Sequence, residues 1–202
     1  MSDAFRDKFE FFLRMVIADP LKHSLWLNTL SYWENCGARK LAACEHPTKV
    51  KEEMLKHAAE EFRHAYYLKQ QIGRLKAPYP SDYGYAFLIG GIQGFHYLNR
   101  LEISICRYLR KETLFDRSDQ RSLAYLLVTY AIEKRAEEVY ALYDVLLKEF
   151  RSPIRILSIL LEEKEHLAEI TEELLPWRQA SAHCQAVCLL ENHIFSKWFS
   201  LI

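Results

Sequence analysis

A glutamate and a histidine three residues apart, each pair preceded by a further glutamate, occur twice in this chain. The two stretches are Glu60-Glu61-Phe62-Arg63-His64 and Glu162-Glu163-Lys164-Glu165-His166. Both lie where apolar residues recur every three or four positions, the period of an amphipathic helix. Residues three apart share a helix face, so Glu61 with His64, and Glu163 with His166, point the same way. That way is the apolar one. The first pair interrupts the stripe Met54, His57, Ala58, Ala65, Leu68, Ile72, and the second interrupts Ile156, Ile159, Leu160, Leu167, Ile170. A carboxylate taken out of water costs several kcal/mol unless something compensates it. Any fold for this chain must therefore supply a partner for carboxylates in its core.

Two further helical stretches show the same intrusion. Glu34 stands in the stripe Leu27, Leu30, Ala38, Leu41, and Glu133 and Glu137 stand in the stripe Leu126, Tyr130, Tyr140, Asp144. Two E-x-x-H pairs, each with a lone glutamate on another helix, are the ligand pattern of a dinuclear carboxylate centre in a helix bundle. Carboxylates bridge a pair of ions and imidazoles complete each coordination shell. The heights are consistent. Glu34 lies 14 residues before Thr48 and Glu61 lies 13 after it, so an antiparallel hairpin at 1.5 Å rise per residue brings them level. Around Ser152, Glu163 lies 11 residues after, Glu137 lies 15 before and Glu133 lies 19 before, which favours Glu137. The two motifs are 102 residues apart, and each half repeats the order of lone glutamate, then E-x-x-H.

The chain order supports an all-α fold. Phe5, Phe9, Phe12 and Val16 predict a helix over Asp3–Ala18, packed outside a bundle as a lid or partner contact. A helix from Leu21 to Glu45 is predicted to end at His46-Pro47, and one over Lys49–Lys76 to begin at a Thr48 cap. Ser81-Asp82 opens a stretch reaching Lys111 that contains Gly90, Gly91 and Gly94 and serves as the crossover between halves. Ser118 or Asp119 caps a helix from about Gln120 to Phe150. Ser152-Pro153 reads as a cap with proline at the first helical position, starting a helix to about Leu175. Ser181–Ile202 closes the chain as a last helix. The expectation is a single domain over residues 1–202, with a core bundle at about 21–175 and flanking helices at 1–19 and 181–202.

Composition narrows the function classes. Formal net charge is zero, so no global basic field recruits nucleic acid or anionic membrane. The opening segment carries Asp3, Asp7, Glu10 and Asp19 rather than a basic export signal. The apolar runs Ala86–Gly91 and Leu123–Ile132 are too short or interrupted to span a bilayer. Five cysteines without a C-x-x-C fit reduced thiols. A cytoplasmic protein without membrane association is expected.

With these motifs in place, the chain resembles the ferritin-like superfamily, which includes rubrerythrins, ribonucleotide reductase small subunits, multicomponent monooxygenases and the ferritin-like tRNA hydroxylases. The resemblance covers about residues 21–175. It implies a ferritin-like four-helix bundle with a crossover helix and extra N- and C-terminal helices. It also implies two iron ions, with manganese or a mixed pair sharing the same ligands. By that resemblance the metal ligands are Glu34, Glu61, His64, Glu163, His166 and a third-helix carboxylate. The run Glu133-Lys134-Arg135-Ala136-Glu137-Glu138 is similar to the E-x-R-x-x-E of the tRNA hydroxylases, whose first glutamate is the ligand. This favours Glu133, against the height argument, and both Glu133 and Glu137 stay as candidates.

Plainer readings stand beside these. A single E-x-x-H is weak evidence, because Glu and His are ordinary surface residues; the weight lies in the combination. His57 is taken as a bundle histidine rather than a seventh ligand. Glu102 fits a buried ion pair with an arginine such as Arg135. Trp33, Tyr67, Tyr130 and Tyr140 are core aromatics by default, with Tyr67 and Tyr140 the candidates for carrying oxidising equivalents. His183, Cys184, Cys188 and His193 are read as helix packing rather than a second metal site. The favoured function is an oxidoreductase that activates O₂ or peroxide to hydroxylate or oxygenate an organic substrate, a small molecule or a modified base. Electrons then come from an external donor, since no rubredoxin-type C-x-x-C is present. The alternatives are a ferroxidase or rubrerythrin-like peroxide scavenger, and a non-catalytic helical scaffold. Nucleic acid is disfavoured by the charge balance, with tRNA kept open by the segment around Glu133, and a homodimer is compatible with the sequence.

Overall fold

The computed structural model describes residues 3–45, 48–111 and 116–202, and among these it is built from helices with no strand. The elements are α1 (Asp3–Ala18), α2 (Pro20–Cys44), α3 (Glu52–Ile72), a 3-10 turn (Tyr85–Phe87), α4 (Gly91–Leu109), α5 (Arg117–Glu149), α6 (Leu157–Leu174) and α7 (Ala180–Phe199). No helix among the described residues is long and apolar enough to cross a membrane. The chain parts into two compact units. Among the described residues, one comprises residues 3–95 together with Leu142–Leu157, the other His96–Ala141 together with Ser158–Ile202.

In the first unit α2 is the central element. Asp19 caps it by accepting from the backbone N–H groups of Leu21 and Lys22, with Pro20 in the first turn. Here Asp19-Pro20 both stops α1 and starts α2. Trp26 of α2 makes T-shaped contacts with Phe9 and Phe12 of α1, with ring centroids 6.1 and 5.8 Å away. Packing of α3 along α2 fixes the level of their side chains. The segment 73–90 is non-helical apart from the 3-10 turn, and buried polar groups of α2 hold it. Asn28 donates to the carbonyls of Asp82 and Phe87, Ser24 to that of Pro78, and Ile89 N–H donates to Thr29. Lys69 of α3 donates to Asn28 and to the Pro80 carbonyl and lies over the Tyr83 ring.

In the second unit, Leu101, Ile105, Leu123, Leu126, Leu127, Ile170, Leu174 and Val187 form the apolar core. Arg135 of α5 anchors α7. Its guanidinium makes a two-pronged pair with Glu191, lies 4.4 Å from the Phe195 ring centroid and also reaches Glu138, while the Tyr97 hydroxyl donates to Glu191.

Several expected helix starts move. The third helix begins at Glu52 with Lys51 at its N-cap and no side-chain cap bond, so Thr48 does not cap it. The predicted break at His46-Pro47 lies outside the described residues. The Ser81-Asp82 start is replaced by a turn in which Asp82 accepts from Gly84 N–H. The helix waits for Gly91, where Gly90 and Gly91 have φ of 75° and 53°. In α5 the start is Arg117, where Asp116 accepts from Asp119 N–H. The Ser152-Pro153 signal also fails as a helix start: Ser152 Oγ accepts from Ile154 N–H in a local turn, and α6 begins at Leu157.

Candidate metal centre

Each ligand-type side chain is carried inward by its helix. In α2, Glu34 follows Leu27 and Leu30 on the buried side and is 9% exposed. In α3, His57, Glu61 and His64 occupy successive turns of one face and are 4%, 4% and 0% exposed. His57 Nε2 lies 3.3 Å from Glu61 Oε1. In α5 and α6, Glu133, Glu163 and His166 are 3%, 1% and 1% exposed, and His166 Nδ1 is 3.9 Å from Glu133 Oε2. Glutamates are almost never this buried without a partner. Four of them on core faces is therefore a functional signal.

These side chains form two groups able to hold a metal ion. In one, ligand atoms of His57, Glu61, Glu133 and His166 lie within 4.8 Å of one another; in the other, those of Glu34, Glu61, His64 and Glu163 do so. Metal–ligand bonds to nitrogen and oxygen are about 2 Å, so opposed ligands on one ion lie roughly 4 Å apart. The groups have that size. Their chemistry also fits: the first offers two imidazoles and two carboxylates, the second one imidazole and three carboxylates, the mixed hard-oxygen and nitrogen set of Fe, Mn or Zn. Glu61 belongs to both.

Of the residues singled out from sequence, Glu34, Glu61, His64, Glu133, Glu163 and His166 fall in these groups. Glu137 does not. It is half-buried and paired with Lys134 at 2.9 Å. His57, read from sequence as a bundle histidine, does belong to a group. Its signal was present: His57 stands four residues before Glu61, on the same face. Tyr140 is 1% exposed and follows Glu133 by two turns, while Tyr67 is half-buried one turn after His64. Arg135 is engaged by Glu191, Glu138 and Asn192. On α7, His183 bonds the Tyr108 hydroxyl at 2.7 Å, and no metal-type group among the described residues includes His183, Cys184, Cys188 or His193.

Comparison of the chain with models of protein families, with curated proteins and with solved structures gives no match.

Proposed function

We propose that this protein is a dinuclear non-haem metal oxidoreductase with a ferritin-like four-helix arrangement. In this reading α2, α3, α5 and α6 bear the ligands and α4 is the crossover. The observation that carries it is the sharing of Glu61 by two buried groups, one with His57 and His166 and the other with His64. A carboxylate has two oxygens, so a residue common to both groups could contribute to holding metal in either. Two irons held there, or manganese or a mixed pair, would supply the redox chemistry that activates O₂ or peroxide toward an organic substrate. The side chains of this chain bind, orient and shield. His57, His64 and His166 present imidazole nitrogen. Glu34, Glu133 and Glu163 balance metal charge, and their burial keeps water from the reacting face. Tyr140 and Tyr67 are the phenols assigned to electron and proton movement, and the electrons come from an external donor.

Anaerobic loading with ferrous ion followed by exposure to O₂ tests this reading. The expected result is uptake of O₂ stoichiometric with bound iron and a transient visible absorption, both absent from Glu61→Ala. Iron that stays bound and ferrous in air would rule out an oxygen-activating role.

A further inference from the structure

One position of α2 is glycine without a conformational or steric need for it. Gly37 lies inside the helix, three residues after Glu34, where glycine is disfavoured relative to alanine. Its φ is not positive, unlike those of Gly90 and Gly91. A Cβ placed there would lie 3.6 Å from Glu61 Oε2, an ordinary contact. Apart from its own helix backbone and chain neighbours, it would meet no other heavy atom of the described residues within 4 Å. A side chain therefore fits, and what its absence provides is space. Gly37 is partly exposed, whereas Glu61, whose oxygen borders that space, is 4% exposed. We propose that Gly37 is an access-determining residue: a notch in α2 through which a ligand of two or three atoms, dioxygen or a small anion, reaches the metals at Glu61. Alanine would narrow the notch, and valine or leucine would extend over the carboxylate oxygen.

This inference rests on the metal reading above. Its test is a series of Gly37→Ala, Gly37→Val and Gly37→Leu, each loaded with ferrous ion anaerobically. Bound metal is counted, and azide is then titrated and mixed by stopped flow. The expected result is unchanged metal content with azide association slowed about threefold in the alanine variant and about tenfold or more in the larger ones. The alanine variant, which the space admits, carries the test if the larger ones do not fold. Full metal loading with wild-type azide kinetics in Gly37→Ala and every larger variant that folds overturns the notch and leaves the metal reading standing. A wild-type protein that binds no metal overturns both.

Discussion

The two oxygens of Glu61 have different neighbours: Oε1 is 3.3 Å from the His57 imidazole, and Oε2 borders the bare backbone at Gly37. Membership of both groups sets it apart from the other side chains in them. Glu61→Ala should therefore release both ions. His57→Ala or His64→Ala should each weaken one and leave about one metal per chain, as measured by elemental analysis after gel filtration. A second prediction concerns His23, buried on α2 against the Tyr143 hydroxyl. Burial holds its pKa down to about 4, from 6.5. The folded state thus binds fewer protons than the unfolded one between those values. The contribution is intact above pH 6.5 and lost as pH falls toward 4, by about 3 kcal/mol in all. Urea midpoints should fall more steeply over this window in wild type than in His23→Asn; parallel slopes would remove the assignment.

At the scale of elements, the anchor between α5 and α7 is the most exposed to test. Arg135 and Glu191 are 6% and 3% exposed, so removing one leaves the other charged and buried. Arg135→Met should cost about 3–5 kcal/mol, and the double change Arg135→Met with Glu191→Leu should recover much of it. Thermal melts of the three proteins decide this; a double variant no better than the single would contradict it. The helices themselves were legible in the sequence because each buries a stripe of period 3.6, and Glu34, Glu61, His64, Glu163 and His166 stood out against those stripes. Helix starts were less legible. Ser152 and Asp82 are good capping residues, but here each closes its own small turn. Segment 73–90 could not be read locally, since Ser24 and Asn28, 54 to 59 residues away on α2, hold it. The choice between Glu133 and Glu137 likewise turned on the level of two helices, and Ser152, the reference point for the spacing, belongs to neither, since α5 ends at Glu149 and α6 begins at Leu157.

Across the molecule, the two groups able to hold a metal draw on four carboxylates with exposures of 9% or less and three imidazoles, so metal bound there would be linked to folding. Metal at 100 times its Kd adds about 2.7 kcal/mol to stability. In a chain of this size that corresponds to roughly 5–10 °C in Tm. Dialysis against a strong chelator should lower the melting temperature by that much, and ferrous or manganous ion should restore it, with Glu61→Ala insensitive to both. The most direct measurement is the metal content of the freshly purified protein. The account predicts about two ions of iron or manganese per chain, lost together in Glu61→Ala. A protein with no stoichiometric metal, whose melting temperature ignores both chelator and added ferrous or manganous ion, would contradict it and leave a helical scaffold with a polar core.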